Sequence, residues 1–251
     1  MADAEVMSLD AILGGRLRLR QRRAGHRVGL DAILLAAAAG PAVDRFADVG
    51  AGVGAVGLAL LQRWPAATGE LVEIDPDLAT LAQENAALNG LAERARIVVA
   101  DVLAPASRRA AGLVDEAADL VATNPPYLAA DAARVSPDPR RARAHVAGAG
   151  SAALAEWVVA CLALVKPGGR FVMIQRADAL PALLPAFAGR LGDLALRPVH
   201  PRADAPAIRL LISGTKGSKA PLRLLPGLTL HEADGSAAPL AAAIQRGEAE
   251  L

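Results

Sequence analysis

The sequence predicts an α/β domain built on a doubly wound, mostly parallel sheet with helices on both faces. Two observations predict it. Short β-rich runs alternate with helical patterns through the middle of the chain, and that order places parallel strands side by side with helices crossing over them. A glycine-rich segment, Asp48-Val49-Gly50-Ala51-Gly52-Val53-Gly54, stands where the first such run gives way to the first such helix.

The elements follow in order. Arg16-Leu17-Arg18-Leu19-Arg20 alternates strictly, which predicts a strand with one basic face. Gly25 offers a turn, so residues 15–28 are expected to form a short hairpin. Asp31 is expected to cap a helix through Ile33-Leu34-Leu35-Ala36, which Gly40-Pro41 ends. Strands are then predicted at 45–49, 69–74, 96–100, 119–123, 170–175, 195–199 and 208–213. Helices are predicted at 55–63, 76–89, 151–165 and 179–190. Residues 131–150 read as a long loop rich in arginine and proline, the kind of loop that often carries function. The expected organisation is a basic extension over 1–30, the α/β domain over 31–213, and a second extension, basic and then mixed, over 214–251.

Composition narrows the functional classes. The chain has 251 residues and 53% apolar side chains, enough for one large self-sufficient core. Six residues are aromatic, Tyr127 being the sole tyrosine, so any base-stacking platform has to be small. The single cysteine, Cys161, rules out an intrachain disulfide and reads as a buried small hydrophobe. The N-terminus lacks the basic-then-apolar plan of a signal peptide, and the longest apolar runs are too short to span a bilayer. A cytoplasmic, soluble protein is expected. No histidine or carboxylate spacing suggests a metal site, and none is expected.

The net charge is +1, but the distribution is uneven. Residues 11–30 carry six arginines and no acid. Residues 214–231 carry Lys216, Lys219 and Arg223, again without an acid. Arg16, Arg18, Arg20, Arg22 and Arg23, with Arg140, Arg141 and Arg143 in the long loop and Lys216 and Lys219 near the end, are candidate phosphate contacts. The bland alternative for any of them is a solvated edge strand whose charge blocks aggregation.

Four motifs carry chemistry. The glycines of 50–54 let the backbone approach a ligand, and the helix behind them favours negative charge, so a nucleotide-type cofactor is the natural occupant. Gly52-Val53-Gly54-Ala55-Val56-Gly57 also fits a dinucleotide fingerprint. Glu73, ending the second strand, can accept hydrogen bonds from ribose hydroxyls. Asp101, after the third, can accept from an adenine amine, with Ile74 and Val102 clasping the ring. Asn124-Pro125-Pro126-Tyr127, after the fourth strand, is the most specific feature. An amine conjugated to a ring or carbonyl is a poor nucleophile. Two fixed acceptors, the Asn124 side-chain carbonyl and the Pro125 main-chain carbonyl, favour its pyramidal form. The prolines keep the turn rigid, and Tyr127 can stack on a planar acceptor.

These four motifs, in this order at the ends of four successive strands, resemble the class I S-adenosylmethionine-dependent methyltransferases. The resemblance spans about residues 46–213. It implies a Rossmann-like seven-stranded sheet and S-adenosylmethionine as cofactor. It also implies Asp48 and Gly50 near the methionine end, with Gly52 and Gly54 completing the loop, Glu73 on the ribose, and Asp101 by the adenine. Gly25-His26-Arg27-Val28-Gly29-Leu30-Asp31 and the tail Thr215-Lys216-Gly217-Ser218-Lys219 resemble those of bacterial methyltransferases that form N6-methyladenosine in the anticodon loop of a valine tRNA, with Leu30 where that group has threonine. The expected activity is methylation of adenine N6 in tRNA, with tRNA or another structured RNA as partner. Three alternatives stand beside it. A protein glutamine N5-methyltransferase would use the same tetrapeptide on an amide. A non-catalytic RNA-binding module would leave it without a purpose. A nicotinamide-dependent oxidoreductase accounts for the glycines but not for the two acceptors.

Overall fold

The computed structural model describes residues 7–23, 28–125 and 151–251. The chain begins with a hairpin of β1 (Met7–Ile12) and β2 (Leu17–Arg22), paired antiparallel from Met7↔Arg22 to Ile12↔Leu17. This corrects the expected hairpin over 15–28. The turn is made by Leu13, Gly14 and Gly15, all at positive φ, where two consecutive glycines relieve the strain. β2 keeps the predicted alternation: Leu17, Leu19 and Gln21 are buried, while Arg18 and Arg20 face out.

Then come α1 (Leu30–Ala37), β3 (Arg45–Val49), α2 (Ala55–Arg63), β4 (Thr68–Glu73), α3 (Pro76–Leu88), β5 (Ala95–Val99), α4 (Pro105–Ala110) and β6 (Ala118–Thr123). After them run α5 (Ser151–Leu164), β7 (Val165–Arg176), α6 (Leu180–Phe187), β8 (Leu191–Arg202), β9 (Arg209–Lys216), β10 (Arg223–Leu224), β11 (Leu228–His231) and α7 (Pro239–Gln245). The N-cap of α1 is Gly29. Asp31 sits inside the first turn, paired with Arg209 at 3.0 Å, and is not the cap the sequence suggested.

The sheet is mostly parallel, in the order β5-β4-β3-β6-β7-β9-β8 with β10 and β11 both on β8. It has nine strands, two more than expected. β9 alone runs antiparallel to its neighbours, inserted between β7 and β8. Along each buried strand, alternate residues enter opposite cores. Leu71, Leu120 and Val172 pack with Leu34, Leu58 and Ile244 on one face, together with Leu17 and Leu19 of the hairpin. Val72, Val121 and Phe171 pack with Val158, Cys161 and Phe187 on the other. This two-sided burial is what a period-2 strand gives when helices cover both faces. Residues 228–231 and 239–245 join the first core through Leu228, Leu230, Ala241 and Ile244.

Because the helices run antiparallel to the parallel strands, their C-termini all emerge at the strands' N-terminal edge. Basic side chains close nearly all of them. Arg63 donates to Ala36 O and Gly40 O beyond α1. Arg94 donates to Leu61 O in the last turn of α2 and to Trp64 O and Ala67 O beyond it. Arg96 reaches Ala111 O after α4, Lys216 reaches Leu162 O and Val165 O at the end of α5, Arg190 reaches Ala186 O in α6, and Arg16 reaches Gly247 O after α7. Each satisfies carbonyls that a helix cannot pair internally and offsets the negative end of its dipole.

No helix among the described residues is long and apolar enough to cross a membrane. No group of three or more His, Cys, Asp or Glu among them can hold a metal ion.

Candidate active site at the carboxyl edge of the sheet

Sheet register brings the four motifs to one edge. Val49 lies opposite both Val72 and Thr123, and Glu73 opposite Val99. Gly50, Ile74, Ala100 and Asn124 therefore leave the sheet as neighbours, at the carboxyl ends of β3, β4, β5 and β6.

The glycine loop is built from its backbone outward. Gly50, Gly52 and Gly54 have φ of 76°, 56° and 89°, which a side chain would strain. The N–H groups of Gly50 and Ala51 both donate to Val72 O, which ties the loop to β4. A Cβ on Gly52 would meet nothing within 4 Å, so this glycine borders open space. A Cβ on Gly54 would come within 3.1 Å of Leu71, and one on Gly57 within 2.7 Å. Gly54 and Gly57 thus serve close packing of α2 on the sheet, Gly50 lies against Trp157, and Gly52 alone of these borders open space.

Asp48 is 1% exposed, and its Oδ2 accepts from Gly57 N at 2.8 Å, clamping strand β3 to the first turn of α2. Burial pushes its carboxyl up to about 7. The Gly57 N–H pulls it back and the nearby Glu73 raises it further. Glu73 is also buried. Its Oε1 accepts from Ile74 N and Asp75 N at 2.9 and 3.0 Å, and its Oε2 from Gly52 N at 2.8 Å. Burial raises its pKa above the ordinary value despite those three donors. A carboxylate has about four lone-pair sites, so Oε2 keeps one for a further donor. Asp101 accepts from Leu103 N at 2.9 Å and is half-buried beside the buried Val102, while Ile74 is 45% exposed across the opening.

Asn124 follows β6. Its Oδ1 is buried and has no hydrogen-bond partner among the described residues. A buried amide oxygen left unpaired costs roughly 1–3 kcal/mol, so an acceptor in this state awaits a donor. Pro125, next to it, is buried. Pro126 and Tyr127 lie outside the described residues, as do Arg140, Arg141 and Arg143. The residues present thus suit a nucleoside-bearing methyl donor: an open glycine turn and a carboxylate with one free lone pair, beside a buried amide oxygen without a partner among the described residues.

The basic candidates divide. Arg18, Arg20, Arg22 and Arg23 line the outer flank of the hairpin, Arg22 pairing with Asp77 at the start of α3 at 3.2 Å and Arg23 donating to Met7 O. Arg16 is held by Gly247 O. Lys216 lies elsewhere. Its ammonium donates to Glu116, Leu162 O and Val165 O, and because β9 is antiparallel it ends at the edge opposite the glycine loop, Thr215 lying beside Arg170 in the N-terminal half of β7. Lys219 follows it at that same edge. The run of basic residues in 214–231 is a patch in sequence and not at this site.

Two side chains at the site were not singled out in the sequence. Thr123 Oγ1 donates to Val49 O at 2.7 Å and accepts from Trp157 Nε1 at 2.9 Å. A threonine ending a strand and a lone tryptophan in an apolar helix carry no motif, so spacing could not have found them.

A Rossmann-like sheet with one inserted antiparallel strand, a glycine turn after its first strand and the Asn124-Pro125 segment after its fourth matches a methyl-transferring enzyme of class I. Residues 30–138 match the family model for the methyltransferase small domain. A tRNA1(Val) (adenine(37)-N6)-methyltransferase from Porphyromonas gingivalis is 31% identical over 182 residues, covering 70% of this chain and 69% of that one. A release factor glutamine methyltransferase from Cereibacter sphaeroides is 32% identical over 165 residues, covering 64% and 56%. The crystal structure of a predicted O-methyltransferase from Agrobacterium tumefaciens superposes with a TM-score of 0.74 at 29% identity, covering 88% of this chain and 98% of that one. The chain belongs to the class I S-adenosylmethionine-dependent methyltransferases, in the family that includes the P. gingivalis enzyme.

Proposed function

We propose that the protein methylates the exocyclic N6 of an adenine in tRNA, in the cytoplasm where tRNA is used. The observation that carries this reading is the buried Oδ1 of Asn124 beside the glycine turn, which has no hydrogen-bond partner among the described residues. Bound S-adenosylmethionine supplies an electrophilic methyl group on its sulfonium. The turn at Gly50, Gly52 and Gly54 cradles that donor, the free lone pair of Glu73 Oε2 holds a ribose hydroxyl, and Asp101, with Ile74 and Val102, receives the adenine. Asn124 Oδ1 and the Pro125 carbonyl accept the two N6 hydrogens of the acceptor base. With both hydrogens held, the nitrogen lone pair turns out of the ring plane toward the methyl group. From the sequence motif, Tyr127 is the residue proposed to stack on the base. Transfer would form the N–C bond as the methyl–sulfur bond breaks, leaving a neutral thioether, and the methylated nitrogen would then shed its proton to water, so no strong general base is needed.

An adenine in RNA is favoured over a glutamine amide by the coverage of the P. gingivalis relative, two thirds or more of both chains, against 56% of the glutamine methyltransferase. The hairpin arginines give phosphates a docking strip on the flank beside α3. The glutamine reading stays in play through that second relative. Incubation of unmodified total tRNA with tritiated methyl donor, followed by nucleoside mass spectrometry, tests the proposal. N6-methyladenosine is expected. Label appearing in a protein fraction and not in tRNA would move the assignment to the glutamine amide.

A further inference from the structure

Thr123 and Trp157 form a staple at the point where the cofactor turn and the acceptor turn leave the sheet. The Thr123 hydroxyl donates to Val49 O, the last carbonyl before Gly50, at 2.7 Å. The same hydroxyl accepts from Trp157 Nε1 at 2.9 Å. The indole reaches the cofactor turn as well as the end of β6: a Cβ on Gly50 would lie 3.1 and 3.3 Å from its Cζ2 and Cη2 atoms. Thr123 is fully buried and directly precedes Asn124, whose Oδ1 has no partner of its own among the described residues to fix it. An amide oxygen without a partner is not held in place by a hydrogen bond of its own. Transfer chemistry needs reacting groups held to within about 0.5 Å.

We infer that Trp157, acting through Thr123, is a positioning residue that holds Asn124 in register with the cofactor turn. The inference rests on the reading of Asn124 as the acceptor of the substrate amine. Thr123 fixes the end of β6 to the end of β3, so the two turns move together. Trp157 fills the space under Gly50 and gives the hydroxyl its second partner. With its donor and one acceptor site both engaged, the hydroxyl has one orientation. Neither side chain touches the reacting atoms; their effect passes through the backbone of residues 49–50 and 123–124.

Four variants test this on labelling of total tRNA at saturating S-adenosylmethionine, with thermal melting of each: Thr123→Val, Thr123→Ser, Trp157→Phe and the double variant Thr123→Val/Trp157→Phe. Thr123→Val keeps the shape and removes the hydroxyl, so kcat should fall about three- to tenfold, the scale of one lost hydrogen bond, with KM for tRNA little changed. Thr123→Ser restores the hydroxyl and should recover most of the rate. Trp157→Phe should cost a similar factor. The double variant should be no slower than the worse single one, because both act through one chain of contacts. A rate that tracks melting temperature across the set, or multiplicative losses in the double variant, would overturn the inference. Asn124→Ala serves as the reference. If it loses labelling while Thr123→Val keeps the full rate, the staple is ruled out and the acceptor reading stands. If Asn124→Ala itself labels normally, the acceptor reading falls and the staple with it.

Discussion

The two edges of the sheet are built from opposite chemistry. At the N-terminal edge the last carbonyls of the helices are met by Arg63, Arg94, Arg96, Lys216, Arg190 and Arg16. At the carboxyl edge, backbone N–H groups gather on Glu73 and Asp48, and one acceptor, Asn124 Oδ1, is left open among the described residues. One edge is electrostatically closed, while the other keeps lone pairs in reserve. Basic residues are therefore poor guides to a polyanion in this fold, because the helices consume many of them at the edge farthest from the chemistry.

The largest expected effect lies at the open edge. Asn124→Ala should lower kcat by a hundredfold or more, the loss typical of one preorganised electrostatic contact at a reacting group. Calorimetry with S-adenosylhomocysteine should show cofactor affinity nearly unchanged. A large loss of affinity would show that Asn124 belongs to the donor side.

The closed edge should respond in stability alone. Arg94→Met removes three charge-assisted hydrogen bonds from the end of α2 and should cost about 2–3 kcal/mol in urea denaturation. Cofactor affinity should stay as it is. Weaker binding without lost stability would erase the distinction between the edges.

Asp48 gives a pH signature. The ordinary carboxyl value is 3.8, and burial holds this one at about 7. Between those values the folded protein keeps a proton that the unfolded chain has released. Its contribution to the stability of the ligand-free protein is thus full below pH 3.8 and is lost as pH rises through about 7. Asp48→Asn should flatten this decline when the two proteins are compared by denaturation at several pH values. Parallel curves would mean that Asp48 ionises freely in the fold.

The smallest structural effect is expected on the hairpin flank. Arg18→Ser with Arg20→Ser should shift stability by no more than about 0.5 kcal/mol. If both meet phosphates, the log–log salt slope of tRNA binding should shrink by about 1.4 to 1.8. Lys216→Met should do the reverse, lowering stability and leaving the slope alone. A flatter slope in Lys216→Met would return the closed edge to the RNA interface.

Much of the fold was readable because its signals are local. The 45–49 strand and the 55–63 helix appear with the expected boundaries, since a glycine turn separates them sharply. The basic strand at Leu17–Arg22 announced itself by alternation, but its partner did not. Met7–Ile12 has a weak period, and glycines on both sides of the strand, Gly14-Gly15 before it and Gly25 after it, offer a turn equally well in sequence. β11 and α7 went unread because Leu228-Thr229-Leu230-His231 and the alanine-rich 239–245 depend on the finished sheet and on α1 for their burial. At the site, residue types were legible and occupancy was not. The sequence marks Lys216 as a cation, and only the antiparallel run of β9 shows which carbonyls it meets.

One contact between helix and hairpin has a metrical consequence. Asn89 exchanges hydrogen bonds with both backbone groups of Arg18, and Asn85, one turn earlier on α3, does the same with Arg20 while also donating to Val53 O in the glycine turn. Four residues of helix advance about 6.0 Å and two of strand about 6.6 Å, so the two scales coincide like the marks of a vernier over a single interval. Each further step adds about 0.6 Å of mismatch. The next position, Leu81 opposite Arg22, carries no amide, and Arg22 reaches instead along its side chain to Asp77. The hairpin is thus gauged against the helix at two marks. A residue inserted into β2 between Arg18 and Arg20 would put one mark out of phase, and the mark nearer the glycine turn is the one that also fixes Val53.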